Sequence, residues 1–102
     1  MFFERCKKQL LPEKKVETNI KKWLENNGVF FIKTLGGSVP SGTPDILACL
    51  NGRFVGIEVK KPVGGKVSEL QKLKIKEIQR AGGIAFVARS VKEVEKHLQN
   101  LL

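Results

Sequence analysis

The stretch Asp45-Ile46-Leu47-Ala48-Cys49-Leu50-Asn51-Gly52-Arg53-Phe54-Val55-Gly56-Ile57-Glu58-Val59-Lys60 decides the fold. Two apolar, β-branched runs flank Asn51-Gly52, a strong hairpin signal because both central positions of a type I′ turn need positive φ. With those two residues as the loop, Leu50 pairs with Arg53, and stepping outward sets Asp45 opposite Glu58. Directly opposed residues hold their Cβ atoms about 4.5–5.5 Å apart, so two carboxylates leave the same face. Alternation puts Lys60 on that face too, about 6–7 Å beyond Glu58 along the strand. Leu47, Cys49, Phe54 and Gly56 share it, while Ile46, Ala48, Leu50, Val55, Ile57 and Val59 face the other way. Both faces are largely apolar, which predicts a sheet covered on both sides.

Working outward, Pro12 to Asn27 has helical periodicity, with Val16, Ile20, Trp23, Leu24 and Asn27 on one side and a lysine-rich back. Asn26-Asn27-Gly28 stops that helix, and Val29 to Thr34 reads as a strand. Leu35 to Pro44, rich in Gly, Ser and Pro, is a loop long enough to be functional. Pro62 and Gly64-Gly65 end the second hairpin strand; Ser68 opens a helix to about Ala81, Ile84 to Arg89 is a strand, and Ser90 opens a last helix. The order is α-β-β-β-α-β-α, one α/β domain over residues 12–102 with a mixed sheet flanked by helices. The last strand can pair in parallel, since the helix before it is long enough for a crossover. Residues 1–11 stand apart as a segment without an assigned role.

Composition narrows the chemistry. The 102 residues carry 19 Lys and Arg against 10 Asp and Glu, a net charge of +9, which favours a polyanionic partner such as nucleic acid. No apolar run approaches the roughly 18 residues of a membrane span, and the N-terminus lacks the order of a secretory signal. A soluble, intracellular, cytoplasmic protein is expected, with no membrane partner. Cys6, Cys49 and His97 cannot assemble a four-ligand zinc site, and two cysteines make no disulfide framework. There is no tyrosine for covalent phosphoryl chemistry, and His97, within a charged run, reads as a solvated helix residue rather than a general base. Carboxylates and lysines are left to do any catalysis.

Opposed acids repel unless a cation lies between them. On a strongly basic chain, Asp45 and Glu58 beside Lys60 fit a divalent-cation site for phosphate chemistry, because hard cations take oxygen ligands. Pro44-Asp45 followed by Glu58-Val59-Lys60 resembles the Pro-Asp…Asp/Glu-x-Lys signature of the PD-(D/E)XK nuclease superfamily. Gly42-Thr43-Pro44-Asp45, with Glu17 in the preceding helix and Gln71 in the following one, is similar to the VRR-NUC family and in layout to Holliday-junction resolvases. The resemblance covers about Glu13 to Leu98 and implies a restriction-endonuclease-like αβββαβ core with an extra C-terminal helix. It implies that Asp45 and Glu58, with the backbone carbonyl of Val59, bind Mg²⁺ or Mn²⁺. Lys60 would then orient or deprotonate water or stabilise the charged transition state. Where many members carry an aromatic soon after the glutamine, this chain has Lys72, Leu73 and Lys74.

Two further residues carry double readings. Glu17 lies beside the apolar stripe of its helix, suited to a water-mediated metal contact, yet it is also spaced to pair with Lys21 at i+4. Gln71 completes a capping box with Ser68, and by resemblance holds the nucleophilic water or a phosphate. Gly36, Gly37, Ser38 and Ser41 in the long loop, with Lys61 and Lys66, are candidate DNA contacts, although the glycines also suit a flexible connection. Lys61 alternates to the face away from the acids and is not expected to take part in chemistry. The resemblance implies a metal-dependent DNA endonuclease of repair or recombination that leaves 5′-phosphate ends; with one such site per chain, cutting both strands of branched DNA such as a Holliday junction calls for a homodimer. A flap-processing or nicking nuclease, or a non-catalytic DNA-binding accessory module, are the alternatives.

Overall fold

The computed structural model describes residues 11–102. Its elements are helix α1 (Pro12–Asn26), strands β1 (Phe30–Lys33), β2 (Ile46–Leu50) and β3 (Arg53–Val59), helix α2 (Glu69–Arg80), strand β4 (Ile84–Ala88), helix α3 (Val91–Leu98) and a closing 3₁₀ turn (Gln99–Leu101). The four strands form one mixed sheet in the order β1-β2-β3-β4, antiparallel except for the parallel pair β3–β4. The α-β-β-β-α-β-α order and the parallel last strand agree with the sequence reading. Expectations that rest on residues 1–10, including Cys6, lie outside the described residues.

The hairpin register is the one the Asn-Gly loop predicts. Leu50 pairs with Arg53 and Ile46 with Ile57, while Asn51 and Gly52 adopt φ of 49° and 79°, as a type I′ turn requires. The side chain of Asn51 donates to the carbonyl of Leu101, tying the turn to the end of the chain.

One face of the sheet carries the core. Ile46, Ala48, Leu50, Val55, Ile57 and Val59 are buried with Val16, Ile20 and Leu24 of α1 and Val94 and Leu98 of α3. Pro12 begins α1 at a position that needs no intrahelical donor. Asn27, expected on the buried side, is exposed: α1 ends before it, and its side-chain amide donates back to the carbonyl of Trp23 at 2.8 Å.

The other face departs from expectation, being covered only over β3 and β4. There α2 packs Ile78 onto Gly56 and Gly83, where added Cβ atoms would come within 3.0 and 2.8 Å of it. A single twelve-residue helix cannot span four strands, so Phe30, Ile32 and Cys49 on β1 and β2 stay exposed, as does Phe54 at the start of β3. His97 is exposed as predicted, though its ring stacks on Phe86 with centroids 4.0 Å apart.

Candidate active site

The site forms where the hairpin ladder stops. Continuing the observed register by one step sets Asp45 opposite Glu58, but Asp45 does not simply project from the sheet. Its Oδ2 accepts the backbone N–H of Val59 at 2.8 Å, taking the place of a further ladder bond. The backbone N–H of Lys60 bonds the carbonyl of Ala88 on β4, so the polar groups of Val59 turn toward Asp45 and its carbonyl is available on that side. Thr34 fixes Asp45 from the other flank. Its N–H and its Oγ1 both donate to the carbonyl of Asp45, at 2.8 and 3.1 Å, and Oγ1 also lies 2.9 Å from the carbonyl of Pro44.

Glu58 is the most deeply buried charged side chain among the described residues, 2% exposed. Its Oε2 accepts from the amide nitrogen of Gln71 at 2.9 Å and lies 3.6 Å from Nζ of Lys60. Its Oε1 is buried with no hydrogen-bond partner. Burial, and then the neighbouring charge of Asp45, push the Glu58 pKa up to about 8 against the opposing pull of Lys60. Such a group is short of positive charge. An oxygen without a donor, buried beside a second carboxylate, fits a bound divalent cation. No group of three or more His, Cys, Asp and Glu side chains gathers among the described residues, and Mg²⁺ commonly uses only one or two carboxylates with water and phosphate oxygens.

Gln71 forms the predicted cap and also reaches the acid pair. Its side-chain amide oxygen accepts the backbone N–H of Ser68 at 2.9 Å, while its backbone N–H donates to Ser68 Oγ at 3.1 Å, completing the capping box. The nitrogen of the same amide is the one aimed at Glu58.

Glu17 also points inward, being 5% exposed. Both of its oxygens are engaged by ammonium groups: Lys14 at 3.4 Å, Lys21 at 3.3 Å and Lys33 at 3.4 Å. Burial alone would raise its pKa, but the Lys21 hydrogen bond and the charges of Lys33, Lys14 and Lys21 outweigh this and hold it below the usual carboxylate value. Lys33, absent from the sequence reading, also lies 3.9 Å from Asp45 Oδ1 and so connects Glu17 to the acid pair.

The other predicted contacts lie in two loops. Gly36 bridges to Val39 and Ser38 Oγ donates to the carbonyl of Leu35, so the glycine segment is a formed turn, with Ser41 exposed beyond it. Lys61 and Lys66 are exposed on the connection from β3 to α2. Arg89 organises that connection, donating to the carbonyls of Lys61, Gly64 and Gly65 at 3.0, 2.6 and 2.9 Å. No sequence signal tied Arg89 to carbonyls so far away in the chain.

The fold has counterparts. A solved structure described as a VRR_NUC domain matches with a TM-score of 0.76 at 29% identity, over 91% of this chain and 100% of that one. Another, a VRR_NUC domain protein, has the same fold with a TM-score of 0.73 at 20% identity, over 92% of this chain and 90% of the other. Among curated proteins, none matches the chain. The model of the VRR-NUC domain matches residues 4–92, a span that takes in the hairpin, both acids, Glu17 and Gln71. The chain therefore belongs to the VRR-NUC family, with the nuclease-type function and DNA substrate that this domain implies.

Proposed function

We propose that this protein is a divalent-metal-dependent DNA endonuclease acting on branched DNA such as Holliday junctions. The observation that carries this reading is the partnerless buried Oε1 of Glu58 beside Asp45, on a chain of net charge +9. Asp45, Glu58 and the Val59 carbonyl are the residues to hold Mg²⁺ or Mn²⁺. When bound, the metal would polarise the scissile phosphate and lower the pKa of a coordinated water.

The chain's own groups divide the remaining work. Gln71 orients Glu58 through one hydrogen bond and is itself oriented by the Ser68 cap. Lys60, 13% exposed and held against Glu58, presents an ammonium where negative charge builds on the phosphorus centre. The exposed lysines attract the DNA backbone without reading bases.

One such site cuts one strand, so resolving a junction calls for two copies. The uncovered apolar sheet face at Phe30, Ile32, Cys49 and Phe54 supports a homodimer by offering a surface for a second copy. Incubation with a labelled four-way junction and Mg²⁺ tests the proposal. Paired cleavage by wild type, lost in Asp45→Ala, is expected. Cleavage of flaps or nicks alone would move the assignment to a flap-processing or nicking nuclease. DNA binding with no metal binding and no turnover would reduce the chain to an accessory module.

A further inference from the structure

We propose that Glu17 is the anchor of a phosphate seat, in which Lys14, Lys21 and Lys33 grip a backbone phosphate of the DNA next to the one being cut. The proposal rests on the nuclease reading and adds to it a binding site on the opposite side of Asp45 from Glu58.

The two buried acids are used in opposite ways. Glu58 keeps an oxygen without a donor, whereas Glu17 has Oε2 against Lys14 and Lys21 and Oε1 against Lys33. A cation approaching Glu17 would meet three ammonium groups at close range and little unspent oxygen, so this carboxylate is poorly placed to take a metal. One lysine would neutralise it. Three leave the cluster with a positive surplus even after Asp45 is counted against Lys33, and the Glu17 carboxylate is what keeps them from splaying apart.

The ammonium groups remain open to solvent on their outer sides. The lysine side chains are 55%, 31% and 32% exposed while that of Glu17 is 6% exposed. Each ammonium has three N–H donors, and the contacts to Glu17 use only part of that capacity. A phosphodiester, singly charged with two free oxygens, matches a cluster of outward donors with positive surplus. Lys33 supplies the link to catalysis. Its Nζ lies 3.4 Å from Glu17 and 3.9 Å from Asp45, so a phosphate held there belongs to the same stretch of backbone as the scissile one.

A comparison within one helix tests the seat. Lys15 and Lys22 are exposed and, seven residues apart, lie on the far side of α1 from Glu17. Binding of a short duplex is measured against salt in EDTA for Lys14→Ala/Lys21→Ala, for Lys15→Ala/Lys22→Ala and for Lys33→Ala. Each lost phosphate contact should lower the slope of log K against log salt by about 0.9. The first pair and Lys33→Ala are expected to show that loss, and the second pair to keep the wild-type slope. Equal losses from the two pairs overturn the proposal. Calorimetric titration with Mn²⁺ provides a second reading: Glu17→Gln should retain binding that Asp45→Ala loses, and a loss matching that of Asp45→Ala overturns it. Cleavage by wild type in Mg²⁺ is scored separately. A protein that cuts while its salt slope ignores these lysines loses the seat alone, and one that shows the slope but never cuts loses the nuclease reading alone.

Discussion

The side-chain amide of Gln71 donates to Oε2 of Glu58 at 2.9 Å while its oxygen is held by the backbone N–H of Ser68, so one residue ties a helix start to a buried acid. The two functions separate by mutation. Ser68→Ala removes one capping bond and is expected to cost about 1 kcal/mol of stability, leaving cleavage within a few-fold of wild type. Gln71→Ala removes the cap's other half and also leaves Glu58 without its neutral donor. A stability loss of about 1–3 kcal/mol is expected, with cleavage falling tenfold or more. Urea melts beside junction-cleavage rates check the pair; a cleavage defect of equal size in both variants would show that Gln71 acts only as a cap.

The raised Glu58 pKa makes stability depend on pH in a defined direction. In the unfolded chain Glu58 ionises near 4.5, in the fold only near 8. Between these values the folded state holds a proton that the unfolded state lacks, so this stabilisation is complete below pH 4.5 and is lost as pH rises through 8. Glu17 works in the opposite sense, its contribution being lost as pH falls through its lowered pKa. Metal-free wild type should therefore decline in Tm between about pH 5 and 8.5, and Glu58→Gln should flatten that decline. Mn²⁺ should restore Tm most at the alkaline end, where no proton competes, and its binding at pH 6–7 should release a proton. Thermal melts across this range, with EDTA or with Mn²⁺, provide the check.

Local chemistry was legible in the sequence where neighbours in the chain set the geometry. Asn51-Gly52 announced both turn and register, hence Asp45 opposite Glu58; Ser68 with Gln71 announced a cap. What stayed hidden depends on chain separation or on choices among partners. Nothing in the sequence says that Lys33 will reach Glu17 from another element, or that Asp45 will turn its carboxylate onto the Val59 amide. For Glu17, spacing along α1 revealed the inward setting and the Lys21 pair but not the contact with Lys33 from β1. Apolar alternation on both hairpin faces suggested full coverage, yet coverage depends on how far α2 extends, and the positions near β1 show no sign of that in their own residues.

Arg89 is expected to matter more than its half-buried place at the end of β4 suggests. Its planar guanidinium reaches three carbonyls of the connection that follows Lys60, a geometry that a lysine point charge cannot reproduce. Arg89→Lys should lose about 1–3 kcal/mol of stability and speed amide exchange in residues 61–67, with weaker DNA binding because Lys61 and Lys66 lose their fixed positions. Exchange mass spectrometry on the metal-free protein checks this, and unchanged protection of that peptide would show the three bonds to be dispensable.

Gly42 offers the sharpest steric test of how the long loop reaches the site. Its φ of +85° disfavours any side chain, and an added Cβ would stand 2.7 Å from Leu70 Cγ and 2.9 Å from the Leu70 carbonyl oxygen. The second contact is with backbone in the first turn of α2, which cannot swing aside like a side-chain tip. Gly37 has a similar φ of +87° but nothing within 4 Å of the added atom. Gly37→Ala should thus cost only backbone strain, about 1 kcal/mol, whereas Gly42→Ala should cost about 2–4 kcal/mol. Because Leu70 precedes Gln71, relief of the clash must shift the amide that holds Glu58. Gly42→Ala should accordingly lose cleavage even at temperatures where circular dichroism shows it fully folded, and Gly37→Ala should not.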